Sequence, residues 1–415
     1  MATVQPFKGL RPNPAHAQQL ATLPYDVVDS DEARELAKDN PYSFWHITKP
    51  EIDLPPGIDP YSDKVYRKGA ENFTRFRREA ILLQEPEPCF YLYQQIMGDH
   101  VQTGYVGCVS VDEYLSGIIK KHEHTRPDKV KDRVRLMEAL NAQSGPVFLA
   151  YRQNQEMKRL TEEMLDKSLP LYDFVSFYNV RHRFFKIDYP PFNDIIREAF
   201  ARIPALYIAD GHHRSEAAAE FCLKKRHELG KYSGKEEFNF FLAVIFPHSD
   251  LQILPYNRVV KDLMGRSPEA FLQELDRFFS VEPLSARLES VPAPQQFGLY
   301  LAGRWYLLRF KEPQKTADDV IARLDVSILQ NYVLQPLFGI NDPRTDKRIH
   351  FIGGIRGAQE LERLVDSGEF AAAFSLYPTR IEQVMDVADA GQVMPPKSTW
   401  FEPKLLSGFV THLLD

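Results

Sequence analysis

The segment PCFYLYQQIMGDHVQTGYVGCVSVDEYL, residues 88–115, constrains the fold of this chain more than any other. Two runs rich in aromatic and β-branched residues are separated only by the turn residues Gly-Asp-His, which predicts an antiparallel hairpin. Helical spacing lies on both sides of it, in YRKGAENFTRFRREAILL and in RVRLMEALNAQ. Further strand-like runs follow: GPVFLAYR, the pair PLYDFVSFYNVRHRFFKID with a turn at Tyr178-Asn179, ALYIAD, NFFLAVIF and LQILPYNRVV, the last two joined by PHSD. Hairpins beside helices, with no steady strand–helix alternation, predict an α+β fold of mixed sheets with flanking helices rather than a doubly wound parallel sheet.

A chain of 415 residues, 44% hydrophobic, is long enough for two or three domains. Composition shifts at KEEFNFF and EPQKTAD predict an N-terminal α+β domain over 1–235, a central module over 236–315 and a C-terminal segment over 316–415 that packs back on the site. A net charge of −6 argues against a nucleic-acid-binding surface. The widely spaced Cys89, Cys108 and Cys222 make neither a metal pair nor a disulfide framework, which suits a reducing cytoplasm. No apolar window is long enough to span a bilayer, so no membrane partner is expected.

Four polar constellations are candidates for chemistry. In ALYIADGHHRSEAAAEF, an apolar strand delivers Asp210 to a turn at Gly211, and His212, His213 and Arg214 open the next helix. The first N–H groups of a helix lack intrahelical partners and favour an anion, and an arginine adds donors suited to phosphate. In KHEHTR, His122, Glu123, His124 and Arg126 follow the apolar Gly-Ile-Ile. In an extended segment the two histidines face one side and Glu123 the other. For Lys129 to Arg133 a solvated helix face is the better reading. In NDPRTDKRIHFIGGIRG, Arg344, Lys347, Arg348 and Arg356 surround the pair Gly353-Gly354, either as an oxyanion cradle or as an inert salt-bridge network with Asp342 and Asp346. In MPPKSTWFEPKLLSG, a double proline stiffens the loop that carries Lys397, Ser398 and Thr399.

These motifs, with LPYDVV, NPYSFWHI and YNRVVKDL, resemble domain-of-unknown-function family 1015 along essentially the whole chain. The Asp-Gly-His-His-Arg segment by itself resembles the phosphate-holding turn of the ParB/sulfiredoxin superfamily, which includes free-serine kinases. That resemblance covers a short motif, and this chain is much longer than the compact superfamily core. It implies a ParB/sulfiredoxin-like core with additional segments. Gly211, His212, His213 and Arg214, with Arg126, would bind phosphate or nucleotide, and Glu123 would be the general base.

The expected function is a small-molecule phosphotransferase, an ATP- or ADP-dependent kinase of free L-serine. His122, His124, Asp210 and His213 join Glu123 as catalytic candidates, Mg²⁺ bridges the phosphates with Asp210 as a ligand, and Arg344, Lys347, Arg348, Arg356, Lys397, Ser398 and Thr399 hold the substrate. Alternatives are a phosphatase for a small phosphomonoester such as phosphoserine and a metal-dependent hydrolase with His122, His124, Asp210 and His212 or His213 as ligands. A nucleotide-binding regulatory module is the non-enzymatic alternative.

Overall fold

A computed structural model describes residues 1–415. The predicted hairpin is present: strand Phe90–Met97 pairs antiparallel with His100–Ser110 across Gly98-Asp99. The second strand ends sooner than the sequence suggested. The Ser110 hydroxyl accepts the Glu113 N–H at 3.4 Å and caps a helical turn, Val111–Leu115, which the sequence reading had kept as strand.

The fold is α+β, and the chain forms two compact units, Met1–Leu251 with Pro403–Asp415, and Gln252–Glu402. The three-segment division expected from composition fails for two reasons. Strand Phe240–Pro247 is central to the first unit, pairing with both His100–Ser110 and Val147–Tyr151. The strands at 296–310 share one sheet with Ala372–Leu376, so 236–315 is not a module of its own. Of the C-terminal segment, only the last thirteen residues return to the first unit.

The first unit is built on a nine-stranded mixed sheet. Its path runs Ile119–Lys120, Leu206–Asp210, Val147–Tyr151, Phe240–Pro247, His100–Ser110, Phe90–Met97, Arg181–Ile187, Tyr172–Val175, with Val4–Gln5 added against Val109 and Cys108. Most neighbours are antiparallel. Two pairs are parallel, Phe240–Pro247 with Val147–Tyr151 and Leu206–Asp210 with Ile119–Lys120. The second parallel pair positions the site. Two adjacent parallel strands end at the same edge of the sheet, so the loops that follow them emerge side by side.

Helices Pro127–Leu140, Gln155–Lys167, Pro190–Ala201 and His212–Leu229 cover the sheet with an apolar layer that includes Val130, Met157, Phe200, Ala218 and Phe221 against Leu149, Ile208 and Ile245. Burying each larger side chain removes it from water for about 1.5–3 kcal/mol. A second cluster joins Phe44, Phe73, Phe76 and Leu20 of the N-terminal helices to Leu136 and Leu140. The C-terminal residues close this unit through Ser407 with Thr22, Thr411 with Leu10 and His412–Leu413 with Ala142–Gln143.

The second unit is a six-stranded antiparallel sheet, in the order Phe279–Pro283, Arg304–Phe310, Gln296–Leu301, Ala372–Leu376, Tyr256–Val260, Ile349–Gly353. Its core packs Val259, Tyr300, Trp305 and Ala373 against Leu361 and Leu364 of helix Gly357–Asp366. The run LQILPYNRVV does not form a hairpin with NFFLAVIF. Proline supplies no N–H for a ladder, and the run breaks at Pro255 into Gln252–Leu254, paired with Trp400–Glu402, and Tyr256–Val260.

Candidate functional site

Gly211 begins the site. Its φ of +98° lies in the region glycine tolerates, and helix His212–Leu229 starts directly after it. Asp210 does not N-cap that helix; Gly211 occupies the cap position and no side chain caps it. Arg214 folds back over the turn, so that a Cβ on residue 211 would lie 3.2 Å from its guanidinium. The same guanidinium donates to the Pro146 carbonyl and lies 3.9 Å from the Asp210 carboxylate.

Asp210 sits at the end of its strand, where the register with Val147–Tyr151 shifts. Its carboxylate accepts from Lys404 Nζ at 3.4 Å. Burial favours the neutral acid, but Lys404 above all, then Arg214, hold the carboxyl well below the usual carboxylate range. Asp210 is therefore an anion whose charge is already offset by two cations. A single carboxylate so placed fits magnesium poorly.

The HEH loop reaches this turn as the parallel strands dictate. His122 is 2% exposed, and its backbone N–H donates to His212 Nε2 at 3.4 Å. Glu123 Oε2 lies 3.8 Å from His212 Nδ1. With Nε2 accepting, the neutral His212 ring carries its proton on Nδ1, facing Glu123. The two imidazoles meet edge-on with centroids 4.5 Å apart. Burial pushes His122 down to about 4 and His212 well below the ordinary histidine value, so both are neutral near pH 7. The Ile208 backbone favours the charged form of His122, yet neither ring nitrogen has a hydrogen-bond partner of normal geometry.

The alternation expected for HEH is broken, because residues 121–126 are a loop rather than a strand. Glu123 and His212 share a side, and His124 is exposed and outside the cluster. His213 is half-buried, and its Nε2 accepts the Arg126 N–H at 3.1 Å. Burial first, then nearby Arg126 and Arg214, lowers its pKa against an opposing effect of Asp26. The Arg126 guanidinium is exposed and paired with Asp128 at 2.8 Å.

A cavity of about 540 Å³, counting its open mouth, adjoins the turn. Arg214, Arg133, Tyr25 and the backbone of Ser144-Gly145 line it, with Met137, Val147 and Ala218 as apolar wall. The Arg133 guanidinium stacks 3.7 Å from the Tyr25 ring and pairs with Asp132 at 2.6 Å. Desolvation, the largest influence, pushes the Tyr25 hydroxyl up to about 12. Asp132 and Arg133 are thus not a solvated helix face; both side chains are nearly buried. Sequence reasoning missed Arg133 and Lys404. Lys404 lies in the STWFEPKL motif, but nothing local distinguishes it from Lys397.

Among the residues read as substrate-binding, Arg344 pairs with Asp342 at 2.9 Å and Arg348 with Asp346 at 2.6 Å, which is the salt-bridge alternative. Arg356 lies 3.9 Å from Glu360, and Lys347 is exposed. Gly353 and Gly354 are not an oxyanion cradle; a Cβ on either would meet Trp400 at 2.9 Å or Pro255 at 2.6 Å, so close packing requires them. Ser398 is buried and donates to the Pro395 carbonyl at 2.6 Å. Lys397 is exposed with φ +58°, its Nζ 5.6 Å from the Tyr256 ring centroid, and Thr399 is half-buried. All of these belong to the second unit.

A family model for a protein of unknown function, DUF1015, matches residues 4–327. The chain belongs to the DUF1015 family. No curated protein matches this DUF1015 chain. Among solved structures, a mutant free serine kinase in complex with AMP is 14% identical with a TM-score of 0.35, covering 71% of this chain and 86% of that one. SbnI with a C-terminal truncation, from Staphylococcus aureus, is 13% identical with a TM-score of 0.38, covering 73% and 85%. A conserved hypothetical protein from Pyrococcus furiosus is 14% identical with a TM-score of 0.33, covering 71% and 89%. No helix of this DUF1015 member is long and apolar enough to cross a membrane.

Proposed function

We propose that this protein is a small-molecule phosphotransferase, an ATP- or ADP-dependent kinase of free L-serine. The observation that carries this reading is the meeting of Glu123 with His212 at the first turn of a helix whose Arg214 also lines the adjacent cavity. A carboxylate base, a helix N-terminus and a guanidinium then lie in one neighbourhood, which is what transfer of a phosphoryl group to a hydroxyl needs.

In this mechanism the nucleotide occupies the cavity, with phosphates near Arg214 and the helix start. The serine Oγ attacks the terminal phosphorus, a new O–P bond forms, and the bond from that phosphorus to the bridging oxygen breaks. The electron pair leaves with the shortened nucleotide, and the hydroxyl proton passes to Glu123. The His212 Nδ1–H, 3.8 Å from Glu123 Oε2, orients the carboxylate once the exposed Glu123 side chain closes on it. Base assistance of this kind is worth ~10²–10⁴-fold. Asp210 acts by positioning, its carboxylate lying between Arg214 and Lys404 at the turn.

Incubation of the full chain with ATP or ADP and L-serine, with products read by mass, tests the proposal. Phosphoserine formed only when nucleotide is present is the expected result. Hydrolysis of phosphoserine without nucleotide, and no forward transfer, would replace the kinase by the phosphatase.

A further inference from the structure

His122 is the buried group that the proposed mechanism does not use. Both of its ring nitrogens are buried, and neither has a hydrogen-bond partner of normal geometry, although the Ile208 backbone lies close enough to favour the charged ring. An imidazole left in that state carries a desolvation cost of about 1–3 kcal/mol for each unmet polar atom. The Glu123–His212 contact explains why those two residues adjoin but leaves His122 unaccounted for. One ligand atom from each of His122, Glu123 and His212 lies within 4.8 Å of the other two.

We propose that His122, Glu123 and His212 form a binding site for a divalent transition-metal ion, with zinc the best match. Two imidazoles and one carboxylate are the donor set of an open tetrahedral zinc site, whereas magnesium prefers oxygen ligands. Ligands about 2.1 Å from one ion stand ~3.4 Å apart in a tetrahedron, so the longest side of the triangle has to contract by up to ~1.4 Å. Glu123 is the member able to move, since its side chain is 52% exposed. Coordination through His212 Nδ1 transfers the ring proton to Nε2 and gives up the long 3.4 Å contact from the His122 N–H. The ligand set differs from the one the sequence suggested. His124 and Asp210 drop out, the first exposed and the second paired with Lys404, and Glu123 takes their place.

One consequence rests on the kinase reading. A coordinated Glu123 cannot accept the serine proton, so zinc occupancy and base catalysis are alternative states of one loop.

The test is titration of chelator-treated full-length protein with Co²⁺, followed by visible d–d absorption, and zinc analysis after dialysis. One ion per chain is expected, with tetrahedral cobalt bands. Binding in His122→Gln, His212→Gln and Glu123→Gln should weaken at least ~10-fold, while His124→Gln should bind as wild type. Circular dichroism establishes which variants fold; if a histidine variant does not, the exposed Glu123→Gln decides the matter. Equal affinity in folded wild type and Glu123→Gln, or no stoichiometric ion on wild type, overturns the site. Nucleotide binding is followed separately by thermal shift with ATP and ADP, so its failure would overturn the kinase reading and leave the metal result standing.

Discussion

Replacing Gly211 by alanine is the sharpest structural perturbation of the proposed phosphate turn. An L-residue at φ +98° lies beyond the ordinary left-handed well, which already costs about 1–2 kcal/mol. The new methyl would sit 3.2 Å from Cζ, Nε and Nη2 of Arg214, tighter than ordinary contact. Moving that guanidinium weakens its bond to the Pro146 carbonyl, a further ~1–2 kcal/mol for a charged donor. The sum is about 2–4 kcal/mol. For a unit of this size that corresponds to a Tm lower by roughly 5–12 °C. Thermal and urea denaturation read the loss, and Gly211→Ala combined with Arg214→Ala separates its parts. In the Arg214→Ala background the Gly211→Ala change should cost only the backbone part, about 1–2 kcal/mol. An unchanged Tm in Gly211→Ala, with nucleotide-induced stabilisation intact, would refute the reasoning about both the turn and its arginine.

Further outcomes follow from individual groups. Lys404→Met removes the nearest cation from Asp210, so the Asp210 pKa rises toward the ordinary value. Because its folded pKa is depressed, Asp210 stabilises the fold above pH ~4, and that contribution is lost as pH falls through the folded value. The variant should therefore be less stable than wild type at pH 7, with the gap narrowing as pH falls below ~4 and closing only below the depressed folded value, as measured by urea melts. Asp325 behaves oppositely. Burial raises it to about 7 although the Gln295 N–H opposes this, so stability falls as pH rises from ~4 to ~7. Asp325→Asn should be more stable than wild type by on the order of 2 kcal/mol at pH 8 and similar to it at pH 4. Arg133→Met keeps the stem that packs in the cavity wall but removes its charge, and should weaken nucleotide binding ~10-fold or more in calorimetry.

Much of this was legible in the sequence for a physical reason. The Phe90–Met97 hairpin, the Gly230 stop of the 212–229 helix and the Ser267 cap of Pro268–Leu275 are local devices, set by residues within a few positions. The DGHHR turn was legible because a strand, a glycine and a polar cluster adjoin. The pairing of Leu206–Asp210 beside Ile119–Lys120 was not, since it joins residues 87 apart in register and no local signal specifies a parallel neighbour. Glu123 could be named from its motif, but its approach to His212 depended on a loop that breaks the expected alternation. Lys404 escaped notice for the same reason as Arg133. Each gains its meaning from a partner distant in sequence, Asp210 for the lysine and the Tyr25 ring for the arginine.

In the proposed mechanism Glu123 takes the proton from a hydroxyl while a nucleotide rests beside Arg214. Single-turnover transfer of labelled terminal phosphate to L-serine, compared in wild type and Glu123→Gln with nucleotide affinity measured in parallel, tests it most directly. The rate should be at least ~100-fold lower in Glu123→Gln at nearly unchanged nucleotide affinity. Equal transfer rates in the two proteins would contradict it.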